Sequence, residues 1–310
     1  MSTTYLKSLS DEQIREFLDS FDTILTDCDG VLWLNVQKLF KTSDVLNTFR
    51  SLGKKIFFVT NNSLQTTKQF VEKCKNMGFI AEEEDMLCTS LLVATYLKEL
   101  NFKKKVYIVG SEGIAKELAA VGIESFGWGP DVLNDISEVP KIKRDPEVGA
   151  VIIAFDEHLS YLKMVKAATY LRDENCLFIA TNMDENFPGE VFMYPGTGAF
   201  VRFVETCVDR KPIILGKPEP YMSSIIKKTY NVDPKRTLMI GDRANTDILL
   251  GTRCGFKTLL VLSGVTSLKD LETWKNSDVP EEKEWLPDFY TDQLGDLLPF
   301  LEKYKAEKST

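Results

Sequence analysis

Histidine is almost missing: the chain has one in 310 residues, His158. A histidine nucleophile or a histidine-rich two-metal centre therefore lacks its residues. Cysteine is thin and scattered, with six residues at 28, 74, 88, 176, 207 and 254 and no C-x-x-C pair. Neither a disulfide framework nor a zinc cluster is suggested, and a reducing compartment fits. No cysteine has an arginine six positions downstream, which excludes a C-x5-R thiolate mechanism, and there is no G-x-x-x-x-G-K-[ST] loop or G-x-S-x-G elbow. Surplus positive charge is lacking too: 38 Lys and Arg face 46 Asp and Glu, a formal charge of −8. That balance argues against a nucleic-acid partner, since phosphate backbones are held by excess Lys and Arg. No apolar run approaches a membrane span, and the first 20 residues carry no apolar signal-like core. The expectation is a soluble, unexported, cytoplasmic chain with no membrane partner.

What is present is the composition of a folded globular chain, 44% hydrophobic and 27% charged. A prior of about 100 to 200 residues per domain suggests two domains. Apolar runs and helical spacings alternate. Ser10 with Gln13 reads as a capping box for a first helix, and Phe21 to Thr26 leads as a strand into Asp27-Cys28-Asp29-Gly30. Val45, Leu46, Phe49 and Leu52 predict a helix stopped by Gly53, and Lys55 to Val59 a second strand closed by Thr60-Asn61-Asn62-Ser63. This order is a parallel βαβ unit. A helix from Thr66 to Met77 and a short strand from Asp85 to Ser90 follow.

The lysine run around residues 103–105 marks a boundary. Beyond it lies a second alternating region, with strands at 106–109, 150–153 and 177–180, helices at 113–120 and 161–172, and a long loop at 127–146. After Asp209-Arg210-Lys211-Pro212 come three further apolar strands, 213–215, 237–240 and 258–261, read as a return to the first sheet. The expected organisation is core residues 1–102, an inserted domain at 103–210, and core residues 211–310. The fold class is α/β, a doubly wound parallel sheet interrupted by a second α/β domain.

Polar groups gather at the predicted strand ends. Ligands of a doubly wound sheet bind beyond its carboxyl edge, so Asp27, Asp29, Thr60, Lys217 and Asp242 converge there in this reading. If the chain stays extended through Cys28, Asp27 and Asp29 point to one side, and two adjacent carboxylates require a cation, acid/base chemistry, or both. Carboxylate oxygens suit Mg²⁺, and lysine is a point cation matched to phosphate or to crowded carboxylates. Phosphoryl transfer accommodates all five. A solvated acidic turn would explain an isolated D-x-D-G as well, but not the other strand ends.

These strings resemble the haloacid dehalogenase (HAD) superfamily of phosphatases: Asp27-x-Asp29, Thr60 after an apolar strand, Lys217, and Gly241-Asp242 with Asp247 five residues later. The fuller D-C-D-G-V-L-W, V-T-N-N-S, G-K-P and G-D-R-x-x-T-D-I are similar to the branch of 4-nitrophenylphosphatases, phosphoglycolate phosphatases and pyridoxal phosphatases, whose C2-type cap is inserted between the second and third motifs. Ala180-Thr181-Asn182-Met183-Asp184 and Pro195-Gly196-Thr197-Gly198 extend the likeness into the cap. The resemblance implies roles. Asp27 is the nucleophile that forms an aspartyl-phosphate, and Asp29 the general acid and then base. Mg²⁺ is held by carboxylates of Asp27 and Asp242 and the backbone carbonyl of Asp29, with Asp247 buttressing from behind. Thr60, Asn61, Asn62 and Lys217 bind the substrate's phosphoryl group, and Lys217 also anchors Asp27. Asn62 reads equally as a turn former, and Asn182 and Asp184 as seating the cap or as a loop network.

The chain departs from the family pattern at Thr26, where phenylalanine is usual, at Ala244 and Asn245 in the fourth motif, and after Trp33, where a common glycine is missing. None of these is an expected metal ligand. The implied enzyme is a Mg²⁺-dependent phosphoric monoester hydrolase acting on small phosphate esters, phosphoglycolate and 4-nitrophenyl phosphate first. Pyridoxal 5′-phosphate, a prenyl phosphate or a phosphorylated protein are the alternatives. A homodimer through the cap is the partner that the branch implies. A catalytically silent binding protein would have lost an acid or the lysine, and all are present.

Overall fold

The structure, a computed structural model, describes residues 3–187 and 193–308. The chain divides into two compact units, one drawn from Met1–Thr60, Val71–Leu87 and Lys217–Thr310, the other from Asn61–Phe70 and Cys88–Gly216. The sequence boundaries at 102/103 and 210/211 both fall inside the second unit.

The first unit is built on a seven-stranded sheet in the order Thr4–Tyr5, Phe289–Thr291, Lys257–Val261, Thr237–Gly241, Thr23–Thr26, Lys55–Thr60, Met86–Cys88. From the first of these to Lys55–Thr60 every neighbouring pair is parallel. Thr23–Thr26 lies at the centre and is buried along its length. That is why it does not read as an alternation of buried and exposed positions: a central parallel strand is buried on both faces. The capping box forms as expected, Ser10 Oγ accepting from Gln13 N at 3.3 Å and Gln13 Oε1 from Ser10 N at 2.9 Å, and opens the helix Asp11–Asp19. Phe17 on that helix packs against Phe289, ring centroids 4.9 Å apart, which ties the helix to the sheet. Val45, Leu46 and Phe49 are buried on the helix Thr42–Ser51, and Gly53 takes the φ of +81° that ends it. After Trp33 a short hairpin pairs Trp33–Leu34 with Gln37–Lys38. Asn35 there takes φ +53°, a left-handed conformation that asparagine tolerates.

The second unit holds a five-stranded parallel sheet in the order Ile213–Ile214, Leu177–Ala180, Val148–Ile153, Lys105–Val109, Ser125–Phe126. Helices Tyr161–Leu171 and Thr197–Val208 cover it, burying Met164, Val201 and Val204 against Tyr107, Val151, Ile153 and Phe178. One strand corrects the sequence reading. Ile213–Ile214 pairs with Leu177–Ala180, Ile179 opposite Ile213 and Ala180 opposite Ile214, so it is an edge of the second sheet rather than a core strand. The backbone N–H of Leu215 continues the ladder to Ala180 O at 3.1 Å, and Lys217 opens the return to the first unit. Among the described residues no helix is long and apolar enough to cross a membrane.

Candidate active site

The ends of two adjacent strands of the first sheet supply the acids. Asp27 follows Thr23–Thr26 directly, and its N–H donates to Ile240 O at 2.8 Å, so its backbone is held by the neighbouring strand. Thr26, the departure beside it, is buried and donates from Oγ1 to Asp27 O at 2.8 Å. The chain then turns: Leu32 N–H bonds Cys28 O and Gly30 N–H bonds Trp33 O, each at 2.8 Å. Gly30 has φ +88°, and a Cβ on it would stand 2.4 Å from Asp242 Oδ2. Only a residue without a side chain lets these two acidic loops approach so closely.

Asp242 follows the strand Thr237–Gly241, and the next residues form a π-helical turn, Ala244–Ile248, that runs into the helix Leu249–Cys254. That wide turn carries Asp247 inward against Gly241, whose missing Cβ would lie 2.1 Å from Asp247 Cβ. Ala244 is buried with Ile248, Leu260 and Leu271, so this departure from the family pattern serves packing.

Lys217 joins them. Its Nζ lies 2.6 Å from Asp27 Oδ1, 2.7 Å from Val59 O and 2.8 Å from Asp247 Oδ1. Carboxylate oxygens of Asp27, Asp242 and Asp247 all lie within 4.8 Å of one another, and all three residues are buried. Two carboxylates thus hold one ammonium with a third carboxylate close to both, a local excess of negative charge out of water. The consequence is a shift in how readily each group gives up its proton. Burial raises the Asp27 carboxyl well above its usual range, Lys217 pulls it down, and Asp247 and Asp242 push it up again. Asp242 is raised to about 7, by burial first and Asp247 second, against the Val265 N–H bond. Burial works against the Lys217 ammonium, yet Asp247 and Asp27 outweigh it and raise its pKa, so it stays charged.

This donor set fits a small hard divalent cation. Oxygen ligands with surplus negative charge match Mg²⁺, and a cation would remove the penalty on ionising Asp27 and Asp242. Asp247 Oδ2 accepts from Arg243 N at 3.1 Å, and its Oδ1 faces Lys217 Nζ in an ion pair at 2.8 Å. Asp242 keeps Oδ2 on Val265 N at 2.8 Å.

The structure distributes the other expected residues less uniformly. Asp29 does not join the cluster of three; its Oδ1 accepts from Trp33 Nε1 at 2.8 Å. Thr60 is buried at the end of Lys55–Thr60, next to the carbonyl that Lys217 grips. Asn61 belongs to the second unit, its Nδ2 donating to Asp184 Oδ1 at 3.2 Å and its carbonyl accepting from Thr89 Oγ1 at 2.7 Å and Asn182 Nδ2 at 2.9 Å. Asn182 and Asp184 therefore share one partner. Asn62 Oδ1 accepts from Leu64 N at 2.9 Å, the bond of a turn former. Sequence reasoning missed the loop 263–266, which touches both acidic loops. The available signal was its position at the end of another core strand, Lys257–Val261.

Comparison with known proteins places this geometry. Residues 24–124 match a model of haloacid dehalogenase-like hydrolases, and residues 214–297 match a second HAD-hydrolase-like model. A mouse (Mus musculus) glycerol-3-phosphate phosphatase is 40% identical over 305 residues, 95% of each chain. A chloroplastic phosphoglycolate phosphatase of Arabidopsis thaliana is 37% identical over 293 residues, 93% of this chain and 79% of the relative. Among solved structures, a 4-nitrophenylphosphatase of Thermotoga maritima superposes with a TM-score of 0.74 at 27% identity, over 91% of this chain and 98% of that one. The chain belongs to the haloacid dehalogenase-like hydrolase family. With phosphatase relatives matched over nearly its whole length, its enzyme class is phosphoric monoester hydrolase, and the inserted α/β unit is the cap domain of that fold.

Proposed function

We propose that the chain hydrolyses small phosphomonoesters through an aspartyl-phosphate on Asp27, with Mg²⁺ as cofactor. The observation that carries this reading is the buried group of Asp27, Asp242 and Asp247 with Lys217 against it, Asp27 and Asp242 following adjacent strands of the first sheet. An Asp27 carboxylate oxygen attacks phosphorus as the ester P–O bond breaks, and the leaving alkoxide takes the proton of Asp29. Asp29, now ionised, removes a proton from the water that attacks the same phosphorus; phosphate leaves and Asp27 is restored. Lys217 keeps Asp27 oriented and neutralises charge that builds on the phosphoryl oxygens, with Thr60 and Asn61 donating hydrogen bonds to them and Asn62 shaping the turn behind. Asp27 and Asp242 would hold Mg²⁺ together with the Asp29 carbonyl. The ion supplies charge compensation that lets an anionic carboxylate meet an anionic ester.

Phosphoglycolate and 4-nitrophenyl phosphate are the proposed substrates, joined by glycerol 3-phosphate, which the 40% identical mouse relative is named for. The proposed setting is a cytoplasmic homodimer formed through the second unit. The test is release of inorganic phosphate across a panel of esters, with and without Mg²⁺ and with Asp27→Asn as blank. Pyridoxal 5′-phosphate, a prenyl phosphate and a phosphopeptide complete the panel. Metal-dependent turnover of the small esters that vanishes in Asp27→Asn is expected. Turnover of phosphopeptides alone, or of nothing, overturns the reading.

A further inference from the structure

We propose that residues 263–266 form a clamp that sets the spacing of the cation site by tying its two acidic loops together, an inference that rests on the phosphatase reading above. The segment Ser263-Gly264-Val265-Thr266 leaves the strand Lys257–Val261, and each of its residues meets an acidic loop. Ser263 Oγ donates to Gly30 O at 2.7 Å, on the loop that carries Asp27 and Asp29. Val265 N–H donates to Asp242 Oδ2 at 2.8 Å, and Thr266 N–H to Asp242 O at 3.0 Å. Thr266 Oγ1 accepts from Ala244 N at 3.0 Å, two residues past Asp242. Gly264 passes so near that a Cβ on it would lie 1.9 Å from Asp242 Oδ2.

This arrangement does two things that packing alone would not require. It occupies one named oxygen of Asp242, leaving Oδ1 as the oxygen that can turn to a cation. It also bridges loops whose carboxylates repel one another, so the cradle is held at its working separation before any ion arrives. Ser263 and Thr266 are positioning residues in this account: they act through the acids and touch no reacting atom.

The test compares wild type, Ser263→Ala, Thr266→Val and Thr266→Ser. Two measurements are made on each: thermal unfolding against Mg²⁺ and Mn²⁺ concentration, and 4-nitrophenyl phosphate turnover against the same metals. Ser263→Ala removes one hydroxyl from a half-buried site, so it serves as the mild variant. Expected is a metal midpoint weakened by about tenfold in Ser263→Ala and Thr266→Val, by both readouts. At saturating metal kcat stays within about threefold of wild type, and Thr266→Ser restores the midpoint because it keeps the acceptor. Midpoints that coincide with wild type overturn the clamp, as does a kcat loss that no metal concentration repairs. A wild-type protein with no metal response in either readout overturns the phosphatase reading itself, and the clamp with it.

Discussion

Each unit of the molecule buries a lysine against an aspartate at the same 2.6 Å: Lys217 with Asp27 in the first, Lys163 with Asp156 in the second. In the second unit the two charges balance. Lys163 and Asp156 side chains are 0% and 1% exposed, and Asp156 also accepts from His158 N at 2.8 Å, so the pair closes on itself at the start of a loop. In the first unit the lysine is outnumbered by Asp27, Asp242 and Asp247, and two of those acids are pushed toward protonation. A buried ion pair is therefore not evidence of a site. What marks a site is charge that the protein itself leaves uncompensated, because only an added cation or a reaction can use it.

The largest expected effects break the first member of the comparison. Asp27→Asn loses turnover by about 10⁴-fold or more, measured with a clean preparation on 4-nitrophenyl phosphate, while folding normally and still binding phosphate. Lys217→Met also abolishes turnover and destabilises the metal-free protein by about 3–5 kcal/mol in denaturant unfolding, since three carboxylates then lose their counter-charge. The second member should respond in stability alone. Lys163→Met costs a similar 3–5 kcal/mol by leaving Asp156 buried and unpaired, yet kcat per folded molecule stays within about threefold. Adding Asp156→Leu recovers much of that loss, and no second change rescues Lys217→Met in activity.

A subtler effect separates the two by pH. The folded-state pKa of Asp242 is raised from 3.8 to about 7, so between those values the folded chain keeps a proton that the unfolded chain has shed. The stability this contributes is fully present below 3.8 and is lost as pH rises through about 7. The melting temperature of metal-free protein should accordingly fall between pH 5 and 8, and the increment from added Mg²⁺ should grow over the same interval. At a hundredfold excess over its dissociation constant the ion adds about 2.7 kcal/mol. In Asp242→Asn both the fall and the Mg²⁺ increment shrink. The smallest effect is the control: breaking the exposed i,i+4 pair Glu112–Lys116 by Lys116→Ala changes stability by about 0.5 kcal/mol at most.

Much of this contrast was legible in the sequence, and the parts that were not share a cause. Asp27 and Asp242 could be named because each follows an apolar run, and strand ends in a parallel sheet converge; Lys217 was named by the same argument from a strand that joins the other sheet, and Asp247 by the family resemblance. The capping box at Ser10 and Gln13 and the buried stripe Val45, Leu46, Phe49 are local patterns that the fold keeps. Ile213–Ile214 misled, because two isoleucines do not reveal which sheet they join; pairing with Ile179 and Ala180 is decided across more than thirty intervening residues. The clamp was invisible for another reason. Its contacts to Asp242 run through the N–H groups of Val265 and Thr266 and the bare Cα of Gly264, which carry no chemical signature in a sequence, and the hydroxyls of Ser263 and Thr266 meet only backbone groups far away in the chain. The bond from Trp33 Nε1 to Asp29 Oδ1 was not read from the sequence, because an indole donor four residues on carries no spacing rule outside a helix.

Rapid acid quenching during turnover of a radiolabelled phosphate ester with Mg²⁺ tests most directly whether Asp27 carries the phosphoryl group. The predicted result is an acid-stable, hydroxylamine-labile label on the peptide that contains Asp27, absent from Asp27→Asn. Label on any other residue, or full turnover by Asp27→Asn, would contradict it.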